Sequence, residues 1–412
     1  MDNTNKKLLS INNYYYRRGG AEFVFLEQNR LFEQIDWEVI PFSMRHPDNL
    51  PSKWSDYFID EIEFGGHYSF LEKIAKVPKV IYSLEAQKKL SRLIDKTSPD
   101  VCHAHNIYHH ISPSIFSILS KRHIPTVLTL HDLKLACPAY KMLNRTGICE
   151  QCNQGSLLNV VKNKCIKDSF ALSSVVYLEA MFNRLVGSYV NHVSKFIVPS
   201  HFYLEKFIEW GFKREQFIHI PNFIDTAKYQ PDFSAGKYFL YFGRLGHEKG
   251  LITLIKAAAA SKVPLVIVGS GPEETHLKQI ASKLNSQVEF LGYQTGEKLH
   301  NAIREARAVV LPSEWYENAP ISILESYALG VPVIGATIGG INELIKVDET
   351  GLIFESGSVD SLSSTITKLK NVPDSKIEEM GRAGHTWVNS EFTADLFRER
   401  LLNLYRSLGV PI

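Results

Sequence analysis

Between residues 238 and 336 the chain repeats one pattern: a short, largely apolar run followed by a stretch with helical spacing. The runs are YFLYFG, VPLVIVG, QVEFLG, AVVLPS and VPVIGA. Apart from QVEFLG, with Gln287 and Glu289, these runs carry no polar alternation, so both faces of those strands must be covered, as in a parallel sheet with helices on either side. Residues 1–200 alternate in the same sense with less regularity. KKLLSINNYYY (6–16), WEVIPF (37–42), PDVCHAHN (99–106), IPTVLTLHD (124–132) and SKFIVPS (194–200) read as strands. Helical stretches fall at 21–34, 81–96 and about 170–192, whereas 43–80 is aromatic and irregular and gives no element. The expected fold is α/β, with two doubly wound Rossmann-like domains facing across a cleft. A boundary belongs between Ser200 and Lys237, giving a first domain over 1–200 and a second over 201–390.

A chain of 412 residues has ample length for two sizeable cores. Its 44% hydrophobic and 22% charged residues are those of an ordinary globular protein. No apolar run reaches the length of a membrane span and MDNTNKKLLS does not read as a signal peptide, so a cytoplasmic location is expected. Net charge is +2 but unevenly placed: residues 1–200 hold 24 Lys and Arg against 19 Asp and Glu, or +5, which leaves −3 for the rest. That bias suits either scattered solvated lysines or contact with an anionic membrane surface. Nucleic acid would require a stronger, clustered basic bias.

The chemistry-bearing residues cluster at strand ends. Glu317 precedes a helix that contains Glu325, with Asn318 expected to cap it and Pro320 at its first turn. The two carboxylates lie roughly 10 Å apart along the axis, too far to share a proton and suited to an elongated ligand held at two points. N–H groups over Ala319–Ile321 favour an anion. Arg244 and Lys249 flank the turn after YFLYFG, where two cations at a helix start can clamp phosphate. No P-loop is present, and GSGPEE has Glu274 where a dinucleotide fingerprint needs its third glycine. Gly19 and Gly20 link the first strand to the first helix, a second place for an anion or simply a tight turn. His103, His105 and His131 all stand at carboxyl ends of strands; His103 and His105 are read as structural, since no third metal ligand is evident beside them.

The glycine loop at Gly19-Gly20, His131, the Arg244/Lys249 pair, the E-x7-E spacing of Glu317 and Glu325 and the GGINE turn occur in one order over residues 8–345. In that order they resemble the retaining GT-B glycosyltransferases of family 4. The resemblance implies a nucleotide-diphosphate sugar as donor, UDP- or GDP-linked, and a glycan or lipid-linked acceptor, with polysaccharide synthesis as the setting. It places Gly19, Gly20, Arg244 and Lys249 at the donor diphosphate, and His131 and Glu317 beside the donor sugar. It puts Glu325 on the ribose, and backbone near Gly292 at the base. It further implies that the last stretch, 391–412, is a helix returning to the first domain. No catalytic metal is expected, because cationic side chains serve the leaving group. Rival readings are an inverting glycosidase, which the phosphate clamp speaks against, a sugar-nucleotide epimerase, and a catalytically silent nucleotide-sugar-binding subunit.

Residues 133–168 form an insertion holding Cys137, Cys149, Cys152 and Cys165. A C-x2-C pair with two flanking cysteines in a segment poor in apolar residues can supply four thiolates to a structural zinc ion; four separate thiols are the alternative.

Overall fold

The computed structural model describes residues 5–61 and 77–412. Much of the aromatic stretch 43–80 therefore lies outside the described residues; within it a short 3-10 turn, Ser55–Tyr57, is formed. The chain divides into two compact units. One comprises the described residues up to Pro199 together with Tyr203–Ile220 and Arg398–Ile412; the other comprises Ser200–Phe202 and Pro221–Phe397.

The first unit is built on a parallel sheet of β1 (Lys7–Ile11), β2 (Glu38–Phe42), β3 (Val101–Ala104), β4 (Thr126–Thr129), β7 (Lys195–Val198) and β8 (Phe217–His219). The spatial order is β2-β1-β3-β4-β7-β8. A two-stranded antiparallel hairpin, β5 (Leu143–Asn144) with β6 (Gly147–Ile148), belongs to the cysteine-bearing insertion. The direction of strand order reverses between β1 and β3, and such a switch point leaves a crevice at the carboxyl ends of the strands. Strand β1 is shorter than its apolar pattern predicts. Past Ile11 the Asn12 amide bonds the Tyr14 carbonyl and the Asn13 amide bonds that of Tyr108, which draws the chain out of the ladder. The helix expected over 170–192 stops at Leu185, where Gly187 takes a left-handed φ of +65°. The helix of 81–96 starts at Leu84, because the Ser83 hydroxyl accepts the Ala86 N–H at 3.1 Å and so fixes its end.

The second unit repeats the plan with β9 (Tyr238–Phe242), β10 (Leu265–Val268), β11 (Val288–Gly292), β12 (Ala306–Leu311), β13 (Val333–Ala336) and β14 (Gly351–Phe354). All are parallel, in the order β11-β10-β9-β12-β13-β14. Here the switch point falls between β9 and β12, the two strands that feed the Arg244 turn and the Glu317 loop. Leu254, Ile255, Ile267, Val310, Ile334 and Leu362 are among the apolar side chains that close the core between this sheet and its helices. Strand β14 and the helices Val359–Asn371 and Asp374–Glu391 carry no element in the sequence reading. The GGINE stretch is a 3-10 segment, Gly339–Leu344, rather than the start of an α-helix; Gly339 has φ +59° and interrupts the helical path. No helix among the described residues is long and apolar enough to cross a membrane.

Candidate active site

In the second unit the loop leaving β9 packs its backbone against neighbouring turns. A Cβ on Gly269 would lie 1.9 Å from the Gly243 carbonyl, and one on Gly271 would lie 2.4 Å from that of Leu245. Only glycine permits this, and the tight packing fixes where Arg244 and Lys249 emerge. Lys249 closes a 3-10 turn, His247–Lys249, and Gly250 with φ +66° opens the helix Leu251–Ser261. Gly292, at the end of β11, accepts the Gly269 N–H at 2.7 Å.

Lys249 and Glu317, which stand 68 residues apart, form one pair: Nζ donates to Oε1 at 2.6 Å. The Ser313 hydroxyl donates to the same oxygen at 2.7 Å. Glu317 is 7% exposed. Burial alone would raise its carboxyl, but the Lys249 ammonium and the neighbouring hydrogen-bond donors, Ser313 among them, together outweigh this and hold it below the ordinary carboxylate range. Arg244 is paired with Glu248, one turn along the same loop, and its side chain stays half-exposed. Neither Ser313 nor Glu248 stands out in the sequence as functional. For Glu248 a signal exists in its i,i+4 position relative to Arg244. An incoming anion would therefore compete with a carboxylate at each cation.

Glu317 is held from the other side by the Gly-Gly turn. A Cβ on Gly339 would meet the Glu317 backbone at 2.3 Å, and one on Gly340 would meet the Asn318 carbonyl at 1.9 Å. The Gly340 N–H donates to the Glu317 carbonyl at 2.9 Å. Glu343 of the same motif accepts the backbone N–H groups of His201 and Phe202 at 2.8 and 2.6 Å.

Asn318 does not cap the helix Ile321–Ala328: its Oδ1 accepts the Ser200 hydroxyl at 2.8 Å, and Pro320 occupies the cap without a side-chain bond. The Ala319 carbonyl accepts the Asn222 amide at 2.8 Å. Glu325 is half-buried and accepts the Tyr229 hydroxyl at 3.3 Å, away from the Lys249–Glu317 pair.

In the first unit Gly19 and Gly20 are exposed at the start of the helix Gly20–Glu33, and the space where a Gly20 Cβ would lie is open. Glu22 is buried in that first turn, and desolvation raises its carboxyl. His131 is not isolated. Its Nε2 meets His105 Nδ1 at 2.8 Å, and the His105 ring stacks on both His131 and His103. His103 in turn bonds Tyr405 Oη at 2.6 Å and Thr129 Oγ1 at 2.7 Å. Burial depresses all three histidines, His103 to about 3 and His131 to about 4, so each is neutral near pH 7. His131, on the next strand, thus stands against His105, a contact the sequence reading did not foresee. Among the described residues no group of three or more His, Cys, Asp or Glu is arranged to hold a metal ion.

Two parallel α/β units, each with its chemistry-bearing residues at a switch point, define the class: a GT-B glycosyltransferase fold. The structure matches sucrose-phosphate synthase of Thermosynechococcus elongatus with TM-score 0.74 and 18% identity, covering 98% of this chain and 99% of that one. HepE of Anabaena, solved with UDP and glucose, matches with TM-score 0.67 and 17% identity over 98% of this chain and 100% of that one. The model of Glycosyltransferase Family 4 matches residues 18–228, and that of Glycosyl transferases group 1 matches residues 225–387. The chain belongs to glycosyltransferase family 4. Over 216 residues it is 33% identical to a GDP-mannose-dependent phosphatidylinositol monomannoside mannosyltransferase of Corynebacterium glutamicum. That match covers 46% of this chain, and the chain spans just over half, 56%, of the relative's length.

Proposed function

We propose that this chain is a retaining glycosyltransferase that moves a sugar from a UDP- or GDP-linked donor to a hydroxyl of a glycan or lipid-linked acceptor, in polysaccharide synthesis. The observation that carries the reading is the pair of part-exposed Lys249 and buried Glu317 beside Arg244 at the second unit's switch point. As the bond from sugar to diphosphate breaks, negative charge grows on the leaving oxygen, and Arg244 and Lys249 supply fixed positive charge for it. Lys249 is anchored by Glu317, so its ammonium is oriented before the donor arrives. His131, being neutral, acts as a hydrogen-bonding partner for a sugar hydroxyl. In a front-side displacement the departing phosphate oxygen takes the acceptor's proton, and no side chain is needed as nucleophile. The proposal assigns no metal ion to catalysis, since cationic side chains occupy the leaving-group position. A structural zinc at the four cysteines and a peripheral contact of the first unit with an anionic membrane belong to the same proposal.

Incubation with radiolabelled UDP- and GDP-sugars and a membrane lipid extract tests it. Labelled lipid or glycan is expected from the wild type, and Arg244→Ala and Lys249→Ala are each expected to lower turnover by roughly 10²–10³-fold with the fold intact. Near-normal turnover in either variant would remove the leaving-group role. Conversion of the nucleotide sugar into an isomer, without transfer, would mark an epimerase.

A further inference from the structure

Two donors from different loops converge on one oxygen of Glu317. Lys249, on the turn that leaves β9, reaches Oε1 at 2.6 Å, and the Ser313 hydroxyl, just past the end of β12, reaches the same atom at 2.7 Å. Ser313 is 2% exposed, which closes its hydroxyl to any ligand. A serine hydroxyl has one proton to donate, and here it goes to Glu317. The loop that carries Ser313 is itself held. Ser356 Oγ donates to the Ser313 carbonyl at 2.8 Å, and the Glu314 N–H donates to the Glu248 carbonyl at 2.9 Å. The Thr253 hydroxyl donates to Glu314 Oε1 at 2.6 Å.

The other oxygen, Oε2, stands differently. None of the described residues donates a hydrogen bond to it, and the nearby Trp315 indole N–H makes none. Without a partner, and yet not one of the buried atoms that lack one, Oε2 is open. The last torsion of a glutamate side chain is soft and roughly two-fold. A lone ammonium, which is a point charge, leaves such a carboxylate free to turn and present either oxygen. A second donor fixed on the same oxygen removes that freedom. We infer that Ser313 is a positioning residue: it locks the Glu317 carboxylate with Oε1 on Lys249 and leaves Oε2 as the acceptor offered to a ligand. Oε2 belongs to an ionised carboxylate and can only accept, so the ligand group that meets it is a hydroxyl or an N–H. Under the proposed function this group is a hydroxyl of the donor sugar, and to that extent the inference rests on that reading.

Two measurements on the full chain test it. The first is a pH titration by carbon NMR with glutamate labelled at its carboxyl, the Glu317 signal being the one lost in Glu317→Gln. In Ser313→Ala the Glu317 carboxyl is expected to titrate at higher pH than in the wild type, because a donor to its charged form is gone. The second is calorimetry with UDP, GDP, UDP-glucose and GDP-mannose. Whichever nucleotide sugar the wild type binds is expected to bind Ser313→Ala about tenfold more weakly, while the matching free nucleotide binds as before. Ser313→Thr keeps the hydroxyl and is expected to restore both readouts. Ser313→Ala should melt near the wild type, since Lys249 still satisfies Oε1, and this separates lost positioning from lost fold. An unchanged Glu317 titration in Ser313→Ala, or equal losses of affinity for free nucleotide and nucleotide sugar, overturns the inference. Binding of neither nucleotide sugar to the wild type counts against the proposed function, while the carboxyl titration still decides the place of Ser313, so the two readings fail separately.

Discussion

Lys249 serves Glu317 in the structure and a diphosphate in the proposal, and that double duty separates the two glutamates. Glu317→Gln removes the charge that competes for Lys249. Free nucleotide diphosphate is therefore expected to bind as tightly as to the wild type or tighter, while turnover falls. Glu325→Gln removes a charged acceptor, worth about 1.5–3 kcal/mol when it bonds a ligand hydroxyl, so affinity is expected to drop by tenfold or more. Calorimetric titration of both variants decides it: equal losses of affinity would contradict the division. The histidines yield a second residue-scale prediction. Their folded pKa values lie below the ordinary value, so the unfolded chain binds more protons between about pH 6.5 and 4. Stability should fall as pH drops through that window, by about 1.4 kcal/mol per pH unit for each fully neutral group. Melting temperatures of wild type and His131→Gln between pH 7 and 4.5 check this, and parallel curves would contradict it. In the sequence His131 was visible through its place at a strand end. Its contact with His105 was not, since a contact between adjacent strands has no signature along the chain.

The strands and helices around the switch point follow from apolar runs and glycines, which is why β9 to β13 were legible from their composition. The helix start at Ile321 was not, because Asn318 is engaged by Ser200, 118 residues away, and local cap chemistry carries no trace of that. The cysteine insertion is the least legible element, and the structure gives it a shape. The hairpin β5–β6 returns Cys149 so that its N–H donates to the Met142 carbonyl at 2.8 Å, and burial pushes the Cys137 thiol up although the nearby backbone N–H groups of Met142 and Ala139 work against this. Cys152 and Cys165 lie near enough for the other thiols to raise their pKa further, after burial. Burial favours the protonated thiols of Cys137, Cys152 and Cys165, and among the described residues the four sulfurs do not stand as a ligand set. Binding would have to draw them in and expel their protons. Protein purified without chelator is expected to hold about one zinc per chain. The double variant Cys149→Ser/Cys152→Ser should lose it and become protease-sensitive between residues 137 and 165. Metal-free protein with this segment protected would end the idea.

For the molecule as a whole, two parallel α/β units were legible because buried strands announce themselves in composition, whereas which surface meets the acceptor's surroundings was not. Under the proposed function, the helix Phe170–Leu185 is the face we propose for that contact. Its Glu179 face is buried, while Phe170, Leu178, Phe182 and Leu185 recur at helical spacing on the opposite face with exposures of 64, 50, 37 and 79%. Lys162, Lys164 and Lys167 precede it in the chain. An apolar stripe next to basic residues suits a helix lying at an anionic bilayer surface, each apolar side chain contributing about 1.5–3 kcal/mol if fully buried. The lysines add attraction that salt screens. Flotation with vesicles of phosphatidylglycerol and phosphatidylcholine should therefore carry the protein upward, less so at high salt and less with phosphatidylcholine alone. Leu178→Glu/Leu185→Glu should stay at the bottom of the gradient while keeping the wild-type melting temperature, because both positions face solvent. Protein that remains at the bottom with anionic vesicles at low salt would show that this face does not meet a membrane.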